Sequence, residues 1–239
     1  MEDAASRVKD GDIVAAGGCL FSRTPMALVR EYVESGRVPM EEWSHLALGL
    51  RFRAAAMGLP FLPSLTMLGS SLVDVGGSKT IDCPYTGEKL LAVPALFPDV
   101  AMLHVHRADR FGNCQIDGYP HMDADIARAA ATVLVTAEEI VPEEEIRLHP
   151  DRTVIPGFIV DALVHVPYGS YPHECYGVYD AEPDHFSAYV DGITERGAAG
   201  VEDYLERYVY GPATHAEYLA LFGEAALADA SRRGRELVT

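Results

Sequence analysis

The sequence predicts an α/β protein built on an open, mostly parallel sheet flanked by helices, and three observations carry that prediction. Short apolar runs at 12–16, 99–106, 132–136 and 158–169 read as strands. Stretches with helical apolar spacing alternate with them, and glycine or proline stands at most of the junctions. Strands that alternate with helices pair in parallel, with the ligand side at their carboxyl ends.

Taken in order, DIVAA (12–16) is a short strand ending in Gly17-Gly18, and Pro25 opens PMALVREYVESG. Proline in a first helical turn and Gly36 past the last bound a helix at roughly 25–35. EWSHLALGLRFRAAAMG (42–58) carries apolar residues at 43, 46, 47, 50, 54 and 57 and ends at Gly58, a second helix. Residues 59–89, rich in Gly, Pro and Ser, read as a long irregular excursion with short strands, and such a loop is usually functional.

DVAMLHVH (99–106) is a strand, followed by the turn RADRFGN and the apolar piece CQIDG. A helix over 122–131 leads to the buried strand TVLVT (132–136), and a connection through IVPEEEIRLHPDRTVIPG leads to the strand FIVDALVHVPYG. A loop dense in Pro, Gly and Tyr follows, then helices at 184–195 and 200–210 and one or two more to the end. We read residues 1–239 as a single domain with a helical region from about 184.

Composition narrows the function. With 19 basic and 36 acidic residues the net charge is -17, which excludes a broad phosphate-backbone footprint and so nucleic acid as partner. A small anion remains possible, because a few backbone amides hold one whatever the global charge. The apolar stretch 90–105 is interrupted by Pro94, Pro98, Asp99 and His104 and is unfit to span a membrane. The start MEDAASRVKDGD has no apolar core behind a basic end, so no signal peptide is expected. Cys19, Cys83, Cys114 and Cys175 lack CxxC spacing and read as free thiols of a cytoplasmic protein.

Several clusters carry chemistry. The turn Ala15-Ala16-Gly17-Gly18-Cys19 is expected to leave backbone N–H groups free, able to hold an oxyanion, although a plain strand-to-helix turn has the same look. His104 and His106 share one face of a strand, as half a metal site or as structural histidines; no second ligand cluster accompanies them. Glu138 and Glu139, following TVLVT, offer a nucleophile or base at the sheet edge, or with Glu143, Glu144 and Glu145 a solvated connection. Glu42, Ser44 and His45 read as a base with its partners or as helix caps. Ser70 and Ser71, and the loop His173, Glu174, Cys175 and Tyr176, line a pocket or simply fill turns. There is no GxSxG elbow and no recognisable Cys/His triad.

Five phrases, taken together and in order, change the picture: DGDIVAAGGCLFSRTPMALVREYV, LALGLRFRAAAMGLPFLPSLTMLGSSL, HVHRADRFGNCQIDG, VLVTAEEIVPEEEI and PGFIVDALVHVPYGSYPHECYGVYD. From about residue 8 to residue 222 the chain resembles the A (alpha) subunit of the glutaconate CoA-transferase group, within the class I CoA-transferases. The resemblance implies a CoA-transferase-like α/β fold, of the NagB/RpiA/CoA-transferase type. It also implies a homologous B subunit, in an A2B2 or larger assembly, whose glutamate attacks the acyl-CoA and passes through an anhydride to an enzyme-bound CoA thioester.

By the same resemblance, this chain contributes the glycine turn, Gly17, Gly18 and Cys19, as an oxyanion hole, where one donor is worth about 2.7–4 kcal/mol. Leu20, Ser22, Arg23, His45, Ser70 and Asn113 follow as substrate-binding residues, and Glu138 and Glu139 as structural ones. The substrates implied are an acyl-CoA and a carboxylate, of dicarboxylate or ketoacid type, with no permanently bound cofactor or metal. Relatives of this subunit type include ring-cleaving hydrolases and decarboxylases, and a non-catalytic CoA-ester-binding subunit is a further alternative. The chain departs from the family where VESGRVPMEEWSH bridges directly, in place of a further strand-helix-strand portion.

Overall fold

The computed structural model describes residues 2–19, 22–24, 43–75 and 78–238. The expected helix at 25–35 and most of the VESGRVPMEEWSH bridge lie outside them. The chain begins with α1 (Glu2–Ala5) and β1 (Val14–Ala16), and after the undescribed stretch comes α2 (His45–Ala56). Ser44 sets the start of α2, its hydroxyl accepting from the Ala47 N–H, as an N-cap should.

The stretch expected to be irregular is a small antiparallel sheet of β2 (Phe61–Ser64), β3 (Lys79–Asp82) and β4 (Lys89–Pro94), in the order β2-β4-β3, with the helical turn α3 (Leu72–Val75) between β2 and β3. Pro60 and Pro63 hide it from sequence: Pro63 stands on an outer strand of the three, where a missing N–H is tolerated. Its apolar side, Leu91 and Val93 with Met67, packs on Ala47 of α2.

The main sheet holds β5 (Val100–Ala108), β6 (Cys114–Gln115), β7 (Thr132–Ile140), β8 (Thr153–Ile155) and β9 (Ala162–His165) in the order β8-β6-β5-β7-β9, with β1 also on β5. The pairs β1·β5, β5·β7 and β7·β9 are parallel, and β5·β6 and β6·β8 are antiparallel. The expected mostly parallel α/β fold is therefore present, with an antiparallel flank. β7 runs past TVLVT, so Glu138 and Glu139 lie within the strand rather than after it. β9 covers only part of the run expected at 158–169, and the connection before it holds α5 (Glu143–Leu148) as well as β8.

Alternation along β5 and β7 divides the sheet into two unlike faces. On one, Ala101, Leu103 and Val105 of β5 and Val133, Val135 and Ala137 of β7 meet Phe52 and Ala55 of α2 and Ile126, Ala127 and Ala129 of α4 (Asp123–Ala129). On the other, Met102 and Leu134 meet Ala4 of α1, but further along the same strands stand the buried polar residues His104, Thr136, Glu138 and His106. No apolar helix can cover such a layer. Polar atoms taken out of water need partners, and here they come from the loop at 168–179.

The carboxyl-terminal helices are α6 (Pro183–Arg196), α7 (Ala198–Leu205) with a π-helical turn over Glu206–Tyr210, α8 (His215–Ala220) and α9 (Glu224–Glu236). α9 straps the loop in place. Ala230 O accepts from the Asp180 N–H at 2.9 Å, and Arg233 pairs with Asp180 and Glu182. Gly234 permits this approach, since a Cβ there would stand 2.4 Å from the Cα of Tyr179.

Two opposed effects therefore meet at Gly234. Alanine gains about 1 kcal/mol of helix propensity, whereas forcing the backbones apart costs about 1–3 kcal/mol or more. Because the obstacle is main chain, the clash wins: Gly234→Ala should lower the urea midpoint, whereas Gly192→Ala in α6, whose Cβ would meet only the tip of Arg196 at 3.5 Å, should not.

Candidate functional site

The nine residues of β5 present one edge to β7 and the other to two different strands: β1 pairs with Val100–Met102 and β6 with Arg107–Ala108. Between them the edge opens over 103–106, and the bend that follows β1 fills the opening. Gly17 N–H donates to Met102 O at 2.8 Å, and the Arg23 guanidinium reaches His104 O at 3.4 Å. A Cβ on Gly17 would lie 2.4 Å from Leu103 Cδ2 and 2.9 Å from Asp123 Oδ1. Gly18, at φ +80°, turns the chain where side chains are strained.

Asp123, first residue of α4, is the fastener. Its Oδ1 accepts from the Gly18 N–H at 2.9 Å, and its Oδ2 pairs with the Arg23 guanidinium, both side chains being fully buried. Arg23 also donates to Tyr119 O at 2.9 Å, and its own N–H donates to Glu174 O at 2.8 Å. Cys19 and Ser22 exchange backbone hydrogen bonds of 2.9 Å.

The expectation of free amides is corrected here. The N–H groups of Gly17, Gly18 and Cys19 are all engaged within the chain, because the bend must satisfy its own donors once it is packed into the sheet. Leu20 lies outside the described residues.

Side chains of this bend line a cavity of about 560 Å³, walled by Cys19, Ser22, Arg23, Tyr119, His121 and Glu174, with Asp117, Gly118 and Tyr176. The last three also border a second cavity of about 690 Å³ that holds Arg107 and Arg152, both paired with Asp117. His45, at the exposed start of α2, brings Nε2 to 3.4 Å from Cys19 Sγ. Cys19, Ser22, Arg23 and His45 are thus brought together.

The structure does not bring Ser70 or Asn113 to this cavity. Ser70 is exposed and donates to Met67 O at 2.7 Å, a local turn contact. Asn113 ties its own turn, donating to Asp109 Oδ2 at 2.8 Å and accepting from the Gly157 N–H at 2.9 Å. Its amide group is spent on holding two loops together.

Behind the bend lies the polar layer. Glu138 meets His104 Nε2 at 2.7 Å, accepts from the Tyr168 N–H at 2.8 Å and the Gly169 N–H at 3.2 Å, and receives the Tyr179 hydroxyl. Burial pushes the Glu138 carboxyl up, but the hydrogen bonds from His104, Tyr179 and the Tyr168 backbone outweigh it and hold the group below its ordinary 4.5. Burial raises the Tyr179 phenol well above 10, so it remains a donor.

His104, Glu138 and Cys175 place ligand-type atoms within 4.8 Å of one another. The carboxylate's oxygens are already bound, however, and a cation would displace those bonds. His106 takes no part: Nε2 bonds Tyr176 O at 2.9 Å while Nδ1 accepts from the Asp117 N–H at 3.2 Å, a pattern only neutral imidazole can make. Desolvation by burial lowers its pKa to about 4. The strand histidines are hydrogen-bonding members of the fold.

Comparison with known proteins places this geometry. The model of the coenzyme A transferase family matches residues 33–166. The A subunit of glutaconate CoA-transferase from Acidaminococcus fermentans is 37% identical over 215 residues, covering 83% of this chain and 67% of that protein. The chain belongs to the coenzyme A transferase family.

An uncharacterized protein of Archaeoglobus fulgidus is 41% identical over 242 residues, 96% of this chain, and the chain spans about half (54%) of that protein's length. The crystal structure of glutaconate coenzyme A-transferase from Acidaminococcus fermentans superposes with a TM-score of 0.85 at 31% identity, covering 96% of this chain and 93% of that one. The CoA-transferase-like fold expected from sequence is thereby established.

Sequence reasoning missed Asp117, Tyr119 and His121 on the cavity wall, and Asp123, which fastens the bend behind it. The signal available was GYPHMDAD, where an aromatic, a histidine and an aspartate crowd a helix start. His121 stacks edge-on against Tyr119 at 5.0 Å, and its pKa is lowered by burial and then by Arg23.

Two outcomes follow. Asp123→Ala should cost about 3–5 kcal/mol in urea unfolding, because it strands a buried guanidinium. His106 binds its proton near pH 4 when folded but near 6.5 when unfolded, so stability should fall as pH drops below 6.5 and level off near 4, by about 3 kcal/mol. His106→Gln should flatten that part of the profile, His185, also lowered to about 4, keeping the remainder.

Proposed function

We propose that this chain is the A subunit of a heteromeric CoA-transferase of the glutaconate and 3-oxoacid type, moving CoA between an acyl-CoA and a carboxylate. The observation that carries the reading is the superposition on glutaconate coenzyme A-transferase over nearly the whole of both chains. The cavity beside β1 and β5 receives the acyl thioester, with Cys19, Ser22 and Arg23 along its near side and His45 in contact with Cys19. CoA thioester is the substrate, and the scheme needs no permanently bound cofactor. The whole chain acts as one domain of a cytoplasmic A2B2 or larger assembly, and no helix among its described residues is long and apolar enough to cross a membrane.

The nucleophile comes from a homologous B subunit. In support, Glu138 is buried and its carboxylate is held by four donors, so attack on a thioester would strip every one of them. Glu174 lines the cavity, and its backbone carbonyl accepts from the Arg23 N–H and the Ser170 hydroxyl. Arg23 and Asp123 hold the bend still while the partner's carboxylate approaches, which is where preorganisation contributes to rate.

Mixing the chain with its B subunit, glutaconyl-CoA and acetate should exchange CoA and leave a thioester on a glutamate of B that borohydride or hydroxylamine traps. Glu174→Gln should leave that adduct on B. A trapped thioester on Glu174 instead, or water as the sole acceptor, would overturn the assignment.

A further inference from the structure

The pair formed by Cys19 and His45 is not used by the transfer scheme, which needs only the partner's carboxylate. The four thiols of this chain are not equivalent. Cys114 and Cys175 are buried, which pushes Cys114 up to about 12 and Cys175 well above 9, and a buried protonated thiol is a poor nucleophile. Cys83 is accessible but sits in the turn joining β3 and β4 of the small sheet, and it does not line the cavity. Cys19 alone among the four is on the cavity wall, partly exposed, with an imidazole nitrogen 3.4 Å from its sulfur.

The two groups are held by separate constraints. Cys19 is fixed by its backbone pairing with Ser22 next to the clamped Gly18, and His45 by the Ser44 cap that starts α2. A thiol with a base in hydrogen-bonding reach is the arrangement of an activated nucleophile. We propose that Cys19 is an acyl-accepting thiol, with His45 as its base, for the acyl group of a thioester bound in the cavity.

The inference rests on the acyl-CoA reading of the cavity. In the step, His45 Nε2 takes the Sγ proton and Sγ bonds to the thioester carbonyl carbon. The bond from that carbon to the CoA sulfur breaks, and the CoA thiolate receives the proton from His45. The products are S-acyl-Cys19 and free CoA, one thioester exchanged for another with no oxidant, reductant or further reactant. Such a species offers a store for the acyl group, and a route to hydrolysis when no acceptor carboxylate is present.

The full-length chain, alone and with its B subunit, would be incubated with acetyl-CoA, quenched in acid and mapped by peptide mass. One acetyl group should appear on the peptide holding Cys19, with one CoA released for each. Cys83→Ser should label at the same rate, and His45→Gln should label about a hundredfold more slowly. Absence of acetyl on Cys19 in the unaltered chain, equal labelling at Cys83, or an undiminished rate in His45→Gln would each overturn the proposal. The two readings fail separately. A complex that exchanges CoA through the partner's glutamate but never acylates Cys19 sinks this inference alone, whereas acylated Cys19 beside a B subunit that forms no thioester sinks only the transferase scheme.

Discussion

The buried pair of Arg23 and Asp123 is the constraint on which the site depends. A guanidinium and a carboxylate removed from water cost several kcal/mol each unless geometry repays them. Here one carboxylate serves Arg23 and the Gly18 N–H, while the guanidinium also reaches two backbone carbonyls, His104 O and Tyr119 O. Three segments remote in sequence meet in those contacts: the glycine bend, the open edge of β5 and the start of α4. The aspartate also stands in the first turn of α4, where the helix dipole favours a negative charge.

The same economy explains the two faces of the sheet. One is apolar and covered by α2 and α4. The other carries a polar layer that only a loop rich in carbonyls, amides and tyrosine hydroxyls can satisfy, and α9 holds that loop down through the gap at Gly234. Glu138 and His106 are therefore fixed in one protonation state each by their partners. The result is a stiff wall beside the cavity in which the Glu138 carboxylate is engaged by four donors, which fits a subunit whose chemistry is completed from outside.

Much of the fold is legible in the sequence because its signals are local. DVAMLHVH and TVLVT are continuous buried strands, which read as apolar runs, and Ser44 before a periodic stretch marks a helix start. Residues 59–89 are different: Pro60 and Pro63 break the strand pattern, so a three-stranded sheet reads as an irregular excursion. Glu138 and Glu139 look like the solvated end of a strand, yet β7 continues through both, and Glu138 is buried because Tyr179, forty-one positions later, supplies the hydroxyl that it needs.

The diglycine turn, the free thiols, the acidic surface and the alternation of strands and helices were determined by sequence alone, since each follows from residue type and near-neighbour spacing. Which donors that turn retains was decided by tertiary structure, because an amide is free or engaged according to what packs against it, and Met102 and Asp123 arrive from far along the chain. The meeting of Cys19 with His45 across a span that includes the undescribed stretch is of the same kind. Chemistry between side chains is a matter of ångströms, and spacing in sequence fixes those only within a turn or two of a helix or across a hairpin.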